Sequence, residues 1–265
     1  RRCAFLNACA APLMMMAAAH AGPAPIVPDG RTATTLAGHG TVTDIHTTTV
    51  RANTAFNSFS RFNIGRGQTV NLHLPGGTSN LLNLVRNERS TLDGVMNAYK
   101  DGRIGGNVFF FNPHGIAVGA GGQINVGSLL LATPSAGFMD RLIDGSGNID
   151  DATVAAALEG RIPLSESGLI TVEGRIRAAR AVNLSAAGVR IGADADISAG
   201  AAARVEFGAM VNIDGLEGAA TVLAEGDSVR IVGSTDVTVA GRLAADGSNG
   251  TAAGRIDIDA GQDIT

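Results

Sequence analysis

Apolar and polar positions along most of this chain alternate in short runs, and Gly, Pro or Asn closes each run before it reaches helical length. Val70, Leu72 and Leu74 fall on one face of such a run, with Asn71 and His73 on the other, which is the two-residue period of a strand. From Thr32 to Leu74 the chain is rich in Thr, Val, Phe and Asn and reads as strands throughout. Gly105 to Ser135, GGNVFFFNPHGIAVGAGGQINVGSLLLATPS, reads as several more strands joined by tight corners, with no helical stretch between them. Ser79 to Tyr99 is ambiguous, because LLNLVRNE has the apolar density of a helix while Asn and Gly interrupt it. Phe138 to Glu159 is the segment read as helical. Within it Ala152 to Leu158 form a short helix, with Asp150 or Asp151 as N-cap and Gly160 after its end. That segment reads as an insertion protruding from a β scaffold.

Beyond Gly168 a degenerate repeat emerges. ITVEGRIRAA, from Ile170, matches VTVAGRLAAD, from Val237, and VRIGADADISAG, from Val189, resembles VRIVGSTDVTVAG, from Val229. Their offsets of 67 and 40 residues fit three and two units of roughly 20 to 22 residues, the length of one solenoid coil. A parallel β-helix accounts for this better than a sandwich, because each coil stacks its short strands on those of the next and the inward Val, Ile and Leu form continuous ladders. The fold expected is all-β, a parallel β-helix with an amino-terminal β cap and a short helical insertion.

Composition supports a core of stacked aliphatic side chains. Aromatics are 4% of residues, with no Trp and one Tyr, whereas Gly contributes 36 of 265 and supplies the corners. The formal charge of −4 argues against a nucleic-acid partner, which calls for a basic face. Only Lys100 among the 20 basic residues is a lysine.

The first residues pair Arg1 and Arg2 with an apolar run that ends in Ala19-His20-Ala21, a signal-peptide pattern with cleavage expected between Ala21 and Gly22. The absence of an initiator Met reads as a start trimmed upstream. Both cysteines, Cys3 and Cys9, lie within this segment, so the chain after cleavage forms no disulfide. It keeps 18 basic against 24 acidic residues, a formal charge of −6. GPAPIVPDG, from Gly22, reads as an extended entry.

Several motifs then occur in order: Phe56-Asn57-Ser58-Phe59-Ser60-Arg61-Phe62-Asn63, Leu82-Asn83-Leu84-Val85, Gly105-Gly106-Asn107 to Gly115, and Ile124-Asn125-Val126-Gly127-Ser128-Leu129. On these the chain resembles the amino-terminal secretion domain of filamentous haemagglutinin-type exoproteins. Within that family it is most similar to large leukotoxin-type filamentous adhesins, including the cyclic-diguanylate-regulated biofilm-matrix type. The resemblance is close over Thr41 to Ser135 and one of style in the later coils. It implies two-partner secretion, in which the exported chain engages the POTRA domains of a dedicated outer-membrane barrel from the periplasm. It further implies a capped right-handed β-helix at the front of a longer fibre in a Gram-negative bacterium, secreted or held at the cell surface. An extracellular polysaccharide or a host surface would be the ligand of the full-length adhesin. The family's Asn-Pro-Asn-Gly turn stands here as Asn112-Pro113-His114-Gly115, and its Asn-Pro-Asn-Leu element is not visible. The organisation expected is a signal peptide over 1–21, the secretion domain with its cap over 22–135, an insertion over 136–167, and further coils over 168–265.

Two readings of the Asn112 to Gly115 turn stand side by side: it forms part of the surface read by the transporter, or it closes a coil. Local chemistry suits the turn in either case, with Asn bonding its own backbone, Pro fixing φ and Gly relaxing the last position. Leu142 to Thr153 resembles the middle of an EF-hand loop through Asp144, Ser146, Gly147 and Ile149, but it lacks acids at both ends, so no metal is expected. Asp194 with Asp196, and Asp257 with Asp259, have the strand spacing of acidic clusters in β-helical polysaccharide-degrading enzymes, but with Arg190 and Arg255 nearby they read as the ordinary solvent face of a coil. His39, His46, His73 and His114 lack ligand spacing. No catalytic residue or cofactor is expected; a polysaccharide-degrading enzyme, or a cytolysin or haem-acquisition exoprotein using the same route, are the alternatives. Of Phe109, Phe110 and Phe111, at least one points away from the core, and packing under the cap or the inserted helix is the expected outcome.

Overall fold

The computed structural model describes residues 26–192 and 194–199, together with the backbone of strands within 202–260. The predicted signal peptide, its cleavage position at Ala21 and Gly22, and both cysteines lie outside the described residues.

Four strands make an antiparallel entry. β1 (Val27–Pro28) lies against β5 (Thr54–Arg61), β2 (Thr34–His39) forms a hairpin with β3 (Val42–Thr47), and β4 (Val50–Arg51) turns back on β5. From β3 and β5 onward the pairing is parallel and the chain winds in coils. β6 (Thr69–His73) stacks on β3, and β7 (Asn80–Val85) on β5. β8 (Ser90–Leu92) opens a third face, β9 (Val95–Lys100) stacks on β6, and β10 (Arg103–Ile104) hairpins against β9. β11 (Asn107–Phe111), β12 (Ile116–Val118) and β13 (Gln123–Ala132) complete the next turns, with β13 long enough to serve two faces.

After β13 the chain leaves the coil. Helices α1 (Ala136–Leu142) and α2 (Asp151–Leu158) follow before β14 (Leu169–Val172) rejoins the stack on β12. β15 (Arg175–Ile191) runs along all three faces, and β16 (Asp196–Ala199) and β17 (Ala202–Asn212) stack on it. β18 (Thr221–Ala224), β19 (Ser228–Gly233), β20 (Asp236–Thr238) and β21 (Arg255–Ala260) continue the parallel columns. The result is a parallel β-helix with three sheet faces, as the apolar pattern predicts.

Inside the coils, Ile45, Leu72, Leu81, Met96, Phe110, Ile124, Ile176 and Ile197 belong to one continuous core with almost no exposure. Phe59, Phe62 and Phe110 meet edge to face within it, with centroids 5.0 Å apart in each contact. A second core lies outside the coil. Phe56, Leu82, Leu84, Phe109, Phe111 and Leu130 are covered by Phe138, Met139 and Leu142 of α1 and by Val154 and Ala157 of α2. Phe110 therefore points inward, while Phe109 and Phe111 pack beneath the helices.

The ambiguous segment from Ser79 is β7 to β9. Alternation fails in β7 because both its faces are buried: Leu81 and Val85 inside the coil, Leu82 and Leu84 under the helices. α2 is capped as read, with the Asp150 carboxylate accepting from Thr153 N at 2.7 Å and Gly160 in a left-handed conformation beyond its end. α1 lies at the start of the segment read as helical, Phe138 to Glu159, begins two residues before it, and is a second helix beside the one placed at Ala152 to Leu158. It begins right after Pro134-Ser135, and Gly137 in its first turn weakens the local signal.

The first repeat is a true column, since Ile170 stacks beneath Val189, Val189 beneath Val211 and Val211 beneath Val237. The second repeat is not. Arg190 stacks with Asn212, and Asn212 with Thr238, whereas Arg230 belongs to the column of Asn183 and Arg204 on a different face. Each face carries the same alternation, so a motif can match across faces. The coils also vary in length: Asn80 and Asn107 stand 26 and 27 residues beyond their partners below, but Ser128 is 21 beyond Asn107.

Candidate functional site

The family-motif asparagines Asn57, Asn83, Asn107 and Asn125 lie in hydrogen-bonded columns that run from coil to coil, and Asn112 shapes the turn that follows β11. Asn112 is fully buried and spends every side-chain group on the turn and the coil below. Its Nδ2 donates to Glu88 O at 2.8 Å and to Ser90 Oγ at 2.9 Å, while its Oδ1 accepts from His114 N at 2.9 Å. The Gly115 amide donates to Asn112 O at 3.1 Å, closing a β-turn over Pro113 and His114. Gly115 has φ +106°, and a Cβ there would stand 2.7 Å from Leu169 O, so the position admits only glycine. His114 Nε2 donates to Arg86 O at 2.8 Å. Of the four turn residues, His114 is exposed and Pro113 half-buried; Asn112 and Gly115 are inaccessible from outside.

Asparagines stack in three columns. In the first, Asn57 Nδ2 donates to Asn83 Oδ1 at 3.0 Å, and Asn83 Nδ2 donates to Phe109 O at 3.3 Å, both residues being wholly buried. Thr34 Oγ1 of the hairpin donates to Asn57 Oδ1 at 2.8 Å, which ties the cap to this column. In the second, Asn107 Nδ2 donates to Asn80 Oδ1 at 2.9 Å and Asn80 Nδ2 to Asn53 Oδ1 at 3.3 Å, while the Arg180 guanidinium donates to Asn107 Oδ1 at 2.6 Å. In the third, Gln123 donates to Asn125, Asn125 to Asn97, Asn97 to Asn71 and Asn71 to Asp44, at 2.8 to 3.1 Å each. Asp44 also meets His73 Nε2 at 2.8 Å. The bonds from His73 and then Asn71 hold the Asp44 carboxyl below its ordinary range. On the same side His46, His73 and Tyr99 stack ring on ring, with centroids 4.3 and 5.5 Å apart.

Phe56, Phe59 and Phe62 divide between the two cores, Phe56 outside and the other two inside. Asn63 Oδ1 accepts from Thr91 N at 2.8 Å, joining the ends of neighbouring coils. At Gly127 a Cβ would meet Gly106 O at 2.6 Å and Gly106 N at 2.7 Å, so two coil corners touch there. The sequence motifs leave out Asn53, Asn71, Asn80, Asn97 and Arg86, of which Asn71 enters only as a polar-face strand residue. The first four carry a legible signal, since they recur at one-coil spacing from the motif asparagines. Arg86 carries none, because its partners come from distant segments. Its buried guanidinium reaches Asp29 Oδ2 at 3.3 Å, Asp140 Oδ1 at 3.0 Å and the carbonyls of Met139 and Ile143 at 3.2 and 2.9 Å.

Asp144 accepts from Ser146 N, Asn148 N and Asn148 Nδ2 at 2.8 to 2.9 Å; the Asn148 amide bonds lead in holding its pKa down. It binds its own loop with the oxygens a cation would use. Among the described residues no three His, Cys, Asp or Glu side chains converge in a metal-ligand cluster. Asp194 sits in the turn before β16 rather than in the strand, and Asp196 lies 3.8 Å from Arg177, so the two carboxylates do not form a facing strand pair. Asp257 and Asp259 fall in β21, where only the backbone is described. Among the described residues no helix is long and apolar enough to cross a membrane.

The family model described as TPS secretion domain matches residues 24–258, a span that includes the hairpin cap, the three columns, both helices and the later coils. Among solved structures, the HMW1 secretion domain from Haemophilus influenzae is similar, at 16% identity over 91% of this chain and 82% of that chain, with a TM-score of 0.37. No curated protein matches the sequence.

Proposed function

Since the chain belongs to the TPS secretion domain family, the domain that directs exoproteins of Gram-negative bacteria through two-partner secretion, we propose that it is the front of a large adhesin recognised by the POTRA domains of a cognate outer-membrane transporter. The observation that carries this reading is the family match over residues 24–258, nearly the whole chain. The polar columns add a physical reason: each new coil meets fixed donors and acceptors on the coil before it, which favours folding outward from the capped end. Such templated growth opposes return of the chain through the transporter and needs no nucleotide. The adhesive ligand, a polysaccharide or a host surface, would be read by the longer protein of which this domain is the front.

Exposure divides the turn after β11 by role. Asn112 and Gly115 serve the coil, whereas Pro113 and His114 are the part a transporter can touch. The test co-expresses the chain with its neighbouring transporter and follows its release into the medium, beside binding of the purified POTRA domains. Expected for His114→Ala is a denaturation midpoint lowered by no more than the loss of its one exposed bond to Arg86 O, with POTRA binding weakened about tenfold, the loss of one good polar contact. Wild-type binding and export for His114→Ala together with Pro113→Ala would remove the turn from the recognised surface. A chain that reaches the medium equally well without any transporter would overturn the secretion reading itself.

A further inference from the structure

The Arg86 guanidinium joins segments that lie far apart in the chain. Asp29 belongs to the entry between β1 and β2, Ser58 to β5, Asp140 to α1, and the Met139 and Ile143 carbonyls to the end of that helix. Arg31 stands beside it, reaching Asp140 Oδ1 at 3.3 Å and Ile143 O at 3.2 Å. Asp29 also accepts from Ser58 Oγ at 2.6 Å and from Arg31 N at 3.0 Å. Two arginines thus face two carboxylates. Before Asp140 arrives, two cations share one acid; closure leaves Arg86 only 8% exposed, and Asp140 supplies the second carboxylate that this burial calls for.

The helices have little reason to form early. α1 has seven residues and α2 eight, too short to hold helical structure in water without packing. What stabilises them is the apolar strip of Phe56, Leu82, Leu84, Phe109, Phe111 and Leu130, which they in turn cover. Helix formation, burial of the strip and neutralisation of Arg86 are therefore one event, and it requires chain beyond Ile143.

We infer that the two helices are a latch that closes late over the outer apolar strip, and that Arg86 couples its closure to the entry segment around Asp29, so that each holds the other shut. Until it closes, the strip on β5, β7, β11 and β13 stays open and the cap is only half fastened. This concerns folding of the chain alone and stands whether or not the transporter reading holds.

Hydrogen exchange on the full chain tests it, with peptides covering 27–36, 136–160 and, as an internal control, the β9 region. Asp140→Asn keeps the size of a largely exposed side chain while removing its charge. The expected result is exchange accelerated about tenfold or more in both 27–36 and 136–160, with β9 unchanged, since the buried Arg86 keeps only one of its two carboxylates. Asp29→Asn is expected to open the same two segments, and the double variant no more than either single one. A hydrophobic dye should bind more strongly in step as the strip is uncovered. If Asp140→Asn does not accumulate as folded protein, Arg86→Lys carries the same test, because it keeps the charge but loses the fork that spans both acids. Loosening confined to 136–160, with 27–36 as protected as in the wild type, would overturn the coupling, as would full protection of both segments in Arg86→Lys.

Discussion

Asn112 shows why a turn residue can be indispensable without touching a partner. An alanine there would leave Ser90 Oγ, Glu88 O and the His114 amide without their bonds in a buried corner, at about 1–3 kcal/mol for a buried group left unsatisfied. A defect in export for that variant would report folding first, and this is why His114 is the sharper probe. Acid is the second lever at this scale. Asp44, with His73 and Asn71 as its leading causes, Asp144, through Asn148, and Asp150, through Thr153, all have folded pKa values below 3.8. A depressed carboxyl stabilises the fold fully above its unfolded pKa, and that contribution is lost as pH falls through the folded value. For these three groups stability should be flat from neutral pH down to about pH 5, begin to fall as pH approaches 3.8 and continue falling below it. Urea midpoints across that range test the expectation, and Asp44→Asn should flatten part of the acid limb. An unaltered acid limb in Asp44→Asn would show that the ladder end does not feel its charge.

Among the elements, the Asp44 to Gln123 column differs from the apolar stacks because its bonds form one directed run: Gln123 donates to Asn125 within β13, and each asparagine then donates to the coil below until the run ends on a carboxylate. Bonds in such a run polarise one another, and the charged end makes the last one strong. Asn97 sits in the middle. Asn97→Leu removes the donor to Asn71 and the acceptor of Asn125, and because the column is half-buried, water replaces them in part; a loss of about 1–2 kcal/mol is expected. Gln123→Ala, at the end of the run, should cost less. Equal denaturation midpoints for the two variants would show that the bonds act singly. The sequence made the strands legible wherever one face is polar, as at Val70 to Leu74, and α2 through its Asp150 cap. β7 was obscured by burial on both faces, and the start of α1, two residues before the segment read as helical, by a glycine in its first turn. The site was legible as motifs and not as a network: asparagines at one-coil spacing stand in the sequence, but Arg86, Asp29 and Asp140 come together only through the winding of the chain.

At the scale of the molecule, a coil touches only the coils above and below it, so stability is expected to be nearly one-dimensional, with disturbances fading after a neighbour or two. The front departs from that rule, since the hairpin, the Arg86 cluster and the helices tie several coils together from outside. Two interior truncations separate these regimes. Phe62 meets both Phe59 and Phe110 edge to face, and Phe62→Ala should cost about 3–5 kcal/mol. Because its neighbours lie in coils that share the cap and the latch, hydrogen exchange should rise together in β5, β7 and β11 and in both helices. Ile197 of β16 is equally buried, and Ile197→Ala should cost about 2–5 kcal/mol. It lies beyond the latch, so the loosening should be confined to β16 and the strands stacked on it, with β5 to β11 as protected as before. If Ile197→Ala loosened the front to the same degree, unfolding would be one cooperative event along the whole helix. The front could not then act as a separately closed unit on which later coils are laid down.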